Sequence, residues 1–334
     1  MRLTRKLRAS AAAVVAAAVL TGCTIDRPPG NSPLRYRDQV FTSDTVIRDL
    51  QYGSAPDQTT GNPVALKLDL YQPAGDTLTK RPVLVWVHGG GFSGGDKGSG
   101  PSQDLANIFA KNGYVTVSIN YRLIPNGCTG SNVSSQCSIA AINAQHDAQA
   151  AIRWLRANAA TYGIDATRIG IGGESAGAIT ATLVGVHSDD PGDSGNPGFP
   201  STVGGFQSLS GGVPNGILAG AGDAPGLLIH GTADPIVPYQ WSADTTAALL
   251  KAGVAAFLEP LSGAGHVPYA QYHDLIVSQS DYFFYDFLDL AHAQGQPAAA
   301  ARAFDQQAAT LRTKYPGFSR GLADQRSTYR QYTK

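Results

Sequence analysis

Short apolar runs bounded by glycine alternate along the chain with longer segments whose apolar residues recur at helical spacing. VLVWV (83–87) is continuously apolar and too short for a helix, so 83–88 reads as a strand buried on both faces. Similar runs predict strands at Tyr114–Asn120, Arg168–Gly172, Phe206–Ser210, Gly226–His230 and Ala255–Leu261. Two earlier strand-like stretches, Thr45–Tyr52 and Val64–Tyr71, are separated by turn residues. Helical spacing covers Ser102–Asn112, closed by Gly113, and Ile139–Tyr162, with an apolar face at Ile142, Ala148, Ile152 and Leu155. Further helices are predicted at Ala176–Val186, Tyr239–Lys251 and Tyr282–Ala293. Strands alternating with helices imply an α/β fold, a mostly parallel twisted sheet with helices on both faces.

The chain ends break this alternation. Arg2, Arg5, Lys6 and Arg8 precede a short apolar run, Ala11–Leu20, and then Leu20-Thr21-Gly22-Cys23. The run is far below the ~20 residues of a spanning helix. The arrangement is that of an export signal, and its small residues leading into a cysteine resemble the lipobox of bacterial lipoproteins. That resemblance implies cleavage before Cys23, lipidation of its thiol and attachment to the outer face of a bacterial membrane. Residues 23–40, rich in Pro and Gly up to position 35, read as a tether; 41–295 form the α/β domain, and 296–334 a helical extension.

Composition narrows the partners. The 334 residues have zero formal net charge, and loss of residues 1–22 would leave −4. No basic stretch lies outside the first eight residues, so nucleic acid is not an expected partner. Beyond Cys23 only Cys128 and Cys137 remain, in CTGSNVSSQC, and in an oxidising compartment they are expected to pair. A zinc site would need further cysteines nearby, so no metal is expected.

The chemistry concentrates in RIGIGGESAG (168–177). Gly173-x-Ser175-x-Gly177 follows a predicted strand and opens a predicted helix, the setting of a nucleophile elbow. A serine on so sharp a turn needs glycine neighbours. A serine hydroxyl also needs a base and an orienting acid. Asp234, in HGTADPIVP past a strand end, is the candidate acid ahead of Asp223 and Asp244. His266, in the glycine-bounded loop SGAGHVPY, is the candidate base ahead of His273 and His292. His88, His146, His187 and His230 precede Asp234 and are excluded as base by the order serine, acid, histidine that goes with such an elbow. HGGGFSGGDK (88–97) then finds a purpose. An oxyanion formed at Ser175 would be held by the N–H groups of Gly90, Gly91 and Ala176, each worth about 3–4 kcal/mol by deletion. His88 would fix that loop by hydrogen bonds, and Glu174 would accept structural ones. Phe92, Tyr121 and Trp241 are candidates for the substrate pocket.

With these motifs in place, the chain resembles the α/β-hydrolase superfamily. Within it, the chain is similar to HGGG-type carboxylesterases related to hormone-sensitive lipase and to feruloyl-esterase-like bacterial esterases. The likeness rests on VLVWVHGGGFSGGD, NYRL (120–123), DAQAAIRWLRANAATYGID (147–165), GGESAGA (172–178) and HGTADPIVP (230–238). It implies an α/β-hydrolase fold, a Ser175–Asp234–His266 triad, no cofactor, and hydrolysis of carboxylic esters of short to medium acyl chain through an acyl-enzyme. The N-terminal segment, read as tether, leaves a minimal cap, and the Cys128–Cys137 loop is a candidate pocket wall. A prolyl-oligopeptidase-like peptidase or amidase, and a non-catalytic surface protein on the same scaffold, stand as alternatives.

Overall fold

The computed structural model describes residues 33–290, except 129–132, 188, 189, 191 and 215–218. Cys23, the expected signal, most of the tether and the 296–334 extension lie outside the described residues. The strands are β1 (Asp44–Pro56), β2 (Pro63–Pro73), β3 (Arg81–Val87), β4 (Val115–Ile119), β5 (Ile164–Glu174), β6 (Phe206–Leu209), β7 (Gly226–Gly231) and β8 (Ala256–Leu261). They form one eight-stranded sheet in the order β1-β2-β4-β3-β5-β6-β7-β8. β1 and β2, and β2 and β4, pair antiparallel. From β4 to β8 the pairing is parallel.

Alternation along the strands sends side chains to two cores. Val83, Val85 and Val87 of β3 join one core with α2 (Ser135–Ala157), α4 (Ala176–Val186) and Leu249 of α5 (Tyr239–Lys251). Leu84 and Trp86 enter the other, with Leu105 and Phe109 of α1 (Gly100–Lys111) and Ile276 and Phe284 of α6 (His273–Phe287). The glycines of RIGIG belong to that second face. A Cβ on Gly170 would lie 2.6 Å from the Phe284 ring, and one on Gly172 would lie 2.4 Å from Trp86. Bare backbone in β5 therefore makes room for the aromatic cluster of Trp86, Phe109 and Phe284.

Several boundaries differ from the sequence reading. The end of the expected tether is docked: Tyr36 is buried edge-on against Tyr114, and its N–H donates to the Asn112 carbonyl at 2.7 Å. Arg35 beside it pairs with Asp76. The 139–162 helix instead begins at Ser135, capped by Ser134, whose hydroxyl accepts from the Cys137 amide, and stops at Ala157 before a short turn, α3 (Ala159–Tyr162). Ile142, expected on its buried face, is 44% exposed, because the buried face of α2 runs through Ala140, Ala144, Ala148 and Ala151 and Ile142 lies off it, at the cavity. The last helix begins at His273 rather than Tyr282 and ends at Phe287. Its first turns mix polar with β-branched residues, and only packing of Ile276 into the second core shows that they are helical.

Candidate active site

β3 and β5 lie side by side in parallel, with Val87 opposite Gly173. The chain segments leaving their carboxyl ends are therefore neighbours: His88–Gly91 from β3 and Ser175 from β5. Ser175 has φ 54° and ψ −119°, a region that costs a side-chain-bearing residue energy. The glycines around it are enforced by contact. A Cβ on Gly177 would lie 2.0 Å from the Val87 carbonyl oxygen, and one on Gly173 would lie 2.5 Å from the Gly177 backbone. Ser175 precedes the first turn of α4, so its hydroxyl sits at the positive end of that helix.

Asp234 and His266 arrive from the loops after β7 and β8, beyond β6 in the sheet. His266 Nε2 lies 2.8 Å from Ser175 Oγ, and His266 Nδ1 lies 2.7 Å from Asp234 Oδ2. The Asp234 side chain is fully buried. Its Oδ1 accepts the amides of Ile236 at 2.8 Å and Val237 at 3.0 Å. Burial opposes its ionisation, but the bond from His266 and the two amides outweigh burial and hold the carboxyl below its usual range. The loop carrying His266 is itself pinned. Val267 has φ 44°, an outlier for a β-branched residue, and its N–H donates to Ser210 Oγ at 3.0 Å. Of the competing residues, His273 pairs with Asp104 and Asp274 at the surface, Asp244 bonds Gln240 within α5, and His292 lies outside the described residues.

The glycine loop turns its carbonyls away from the site. Gly90 O accepts from Ser93 N at 3.0 Å and Gly94 N at 3.1 Å, Gly91 O from Cys128 N at 2.7 Å, and Phe92 O from Ile124 N at 2.8 Å. The N–H groups of Gly90, Gly91 and Ala176 meet no acceptor among the described residues, and all three residues line the cleft. Gly90 (φ 111°) admits no side chain, since a Cβ would lie 2.3 Å from Gly94 O. His88 stacks on Tyr121 at 4.5 Å, and its Nδ1 bonds Gly89 O at 2.7 Å. Glu174 grips the same loop: Oε1 accepts from Gly89 N at 3.1 Å, and Oε2 accepts from Ser102 Oγ at 2.6 Å. Burial pushes the Glu174 carboxyl up to about 7, against those two hydrogen bonds.

A cavity of about 730 Å³ opens above Ser175. Its walls include Ile142, Ile179, Leu183, Val213, Ile236 and Trp241. Phe92 and Trp241, both expected there, line it. Tyr121 does not: its ring packs behind the glycine loop and its hydroxyl donates to the His88 carbonyl at 3.0 Å, so it supports the loop from outside the pocket. Cys128 and Cys137 are joined, with Cα atoms 5.7 Å apart, and both line the cavity. Among the described residues, no group of three or more His, Cys, Asp or Glu side chains is placed to hold a metal ion, and no helix is long and apolar enough to cross a membrane.

Sequence reasoning passed over several contributors. His230, set aside as a base, bonds Asp234 Oδ2 at 3.1 Å; the i, i+4 spacing in HGTAD was its visible signal. Ser210 had no signal, because its role depends on a loop 57 residues later. Ile142 read as a core position and Ile179 and Leu183 were not singled out, yet all three line the cavity.

The BD-FAE family model matches residues 68–206. Lipase 1 of Geotrichum candidum is 33% identical over 160 residues, 46% of this chain and 28% of that protein. Para-nitrobenzyl esterase of Bacillus subtilis (strain 168) is 33% identical over 138 residues, 40% of this chain and 26% of that protein. The chain thus spans under a third of the length of these curated relatives. Among solved structures, a thermophilic esterase of Thermogutta terrifontis, Est2, superposes with a TM-score of 0.59 at 22% identity, over 76% of this chain and 95% of that one. A truncated carbohydrate esterase from gut microbiota superposes with a TM-score of 0.59 at 22% identity, over 74% and 98%.

The raised Glu174 carboxyl has a measurable consequence. A carboxyl whose pKa is higher folded than unfolded stabilises the fold fully below its unfolded value, and loses that contribution as pH rises through its folded one. Stability should therefore fall by a few kcal/mol at most between about pH 4.5 and about 7 on account of this group. Glu174→Gln should flatten that part of the profile, as read by urea unfolding at several pH values. An unchanged slope would contradict the assignment.

Sheet order, strand directions and the superpositions agree that the chain has the α/β-hydrolase fold, and the BD-FAE family model matches its residues 68–206.

Proposed function

We propose that the protein is a serine carboxylesterase acting on carboxylic esters of short to medium acyl chain. The observation that carries this reading is the unbroken relay from Ser175 Oγ through His266 to a buried Asp234, beside three amides with no described acceptor. Lipases and esterases among the relatives support it.

In this reading Ser175 Oγ attacks the ester carbonyl carbon as its proton passes to His266 Nε2. Asp234 stabilises the imidazolium through Nδ1 without taking the proton. The carbonyl oxygen becomes an oxyanion against the N–H groups of Gly90, Gly91 and Ala176. On collapse the C–O bond to the alcohol breaks, and His266 returns the proton to the departing oxygen. Water then attacks the acyl-serine by the same route, releasing the acid and restoring Ser175. No step requires a cofactor.

The cavity walls suit an apolar acyl or alcohol group, and the pocket is of a size that small-molecule sites commonly have. Attachment to a membrane through lipidated Cys23 belongs to the same reading, supported by the Leu-Thr-Gly-Cys pattern behind a short apolar run.

Ser175→Ala should abolish hydrolysis of p-nitrophenyl butyrate and labelling by a fluorophosphonate, while the melting temperature stays nearly unchanged. Retained turnover would refute the nucleophile. On an ester panel, chains of about eight carbons or fewer should be preferred; faster turnover of lauroyl than of butyryl esters, or of an aminoacyl anilide than of either, would point to another substrate class. Expressed from its full sequence in a bacterium, the protein should partition into the detergent phase, and Cys23→Ala should not; equal partitioning of both would remove the lipid anchor.

A further inference from the structure

His230 is the last residue but one of β7, and its side chain is fully buried. It is bonded at both ring nitrogens. Nε2 lies 3.1 Å from Asp234 Oδ2 and 3.0 Å from the Val237 carbonyl, and Nδ1 lies 2.7 Å from Ser242 Oγ. An ionised carboxylate and a carbonyl are both acceptors, so Nε2 carries the proton. The single Ser242 hydroxyl proton is shared between Nδ1 and the Gly211 carbonyl, and burial disfavours charge on the imidazole, pushing it below its ordinary value. The charged groups acting on the ring are Asp234 and, beyond it, His266; the Tyr239 ring stands edge-on at 5.8 Å.

Asp234 is then surrounded by donors. Oδ2 receives His266 Nδ1 and His230 Nε2, and Oδ1 receives the amides of Ile236 and Val237. A carboxylate offers about four lone-pair sites, so all are occupied and the group is held against rotation. Its negative charge is also shared with a donor that takes no part in the reaction. Beyond the ring, Ser242 Oγ lies 3.0 Å from Gly211 O. The adjoining Gly212 packs so closely on α5 that a Cβ there would lie 2.8 Å from the Trp241 carbonyl. Trp241 and Val213 on either side of this contact line the cavity.

We propose that His230 is a positioning residue, one that fixes Asp234 Oδ2 on His266, moderates how strongly that carboxylate holds the imidazolium, and joins the acid through Ser242 to the pocket wall. The role rests on the esterase reading above. It differs from a merely structural one because it acts on the basicity of His266.

His230→Leu removes the Nε2 donor, whereas His230→Gln keeps an N–H near the same place. In the leucine variant kcat should fall about tenfold with KM within about twofold of the parent. Its acid limb in the pH profile of kcat/KM should move upward, since a carboxylate relieved of one donor holds the His266 imidazolium more firmly. His230→Gln should restore most of kcat and return the limb. Should His230→Leu fail to fold, Ser242→Ala leaves the ring in place but unpins Nδ1, and a smaller upward movement is expected. An unmoved limb in a folded His230→Leu or Ser242→Ala overturns the proposal, as does an equal movement in His230→Leu and His230→Gln. The esterase reading is judged separately, by whether the parent turns over and Ser175→Ala does not.

Discussion

The Val87 carbonyl and the turn after β5 approach until no side chain fits between them: a Cβ on Gly177 would stand 2.0 Å from that oxygen. This contact determines what else the site can be. β3 and β5 run parallel with Val87 opposite Gly173, so the loop leaving one strand and the serine leaving the other emerge at the same height. Were the strands separated enough to admit an alanine at 177, the Gly90 and Gly91 amides would retreat from Ser175. The positive φ of Ser175 is part of the same constraint, because only that turn lifts the hydroxyl above the sheet while returning the chain into α4.

Two carboxyls lie next to this contact and are driven in opposite directions. Asp234 and Glu174 are both buried, and burial alone disfavours the charge on each. Asp234 has donors on both oxygens, including two backbone amides that cannot move away, and it stays ionised. Glu174 has one amide and one serine hydroxyl from other segments, and its carboxyl is pushed up to about 7. The difference suits their positions. The first stands behind an imidazole whose positive charge it can balance; the second ties the glycine loop to α1 through Ser102.

The pocket wall is assembled from parts with unrelated local reasons to exist. Cys128 supplies an amide to Gly91 and a sulfur to Cys137, so the disulfide reaches the same loop that offers the free amides. α2 begins beside that bond, and its exposed Ile142 faces the cavity instead of the core. On the far side, Val213 and Trp241 are held by the Ser242–Gly211 contact that also reaches His230. Shape on both sides of the cleft is therefore connected by hydrogen bonds to the groups around Ser175.

The sequence by itself determined the elements whose demands are local. Gly173-x-Ser175-x-Gly177 and the glycines after His88 are legible because a sharp turn or a left-handed φ excludes side chains whatever lies elsewhere. Continuous apolar runs likewise marked the strands, chain order excluded the four histidines before Asp234, and loop setting favoured Asp234 and His266 over their remaining competitors. Tertiary structure alone decided which residues meet across the sheet. Tyr121 was expected in the pocket, but its hydroxyl finds the His88 carbonyl and its ring lies behind the loop. Ile142 looked like core, but alanines 140, 144 and 148 form the buried face of α2 and Ile142 lines the cavity. His230, Ser242 and Ser210 gained their partners from a strand order in which β4 lies between β2 and β3, and β5 to β8 follow outward. Hydrogen-bond partners tens of residues apart are set by that order and register, which leave no periodic trace in the chain.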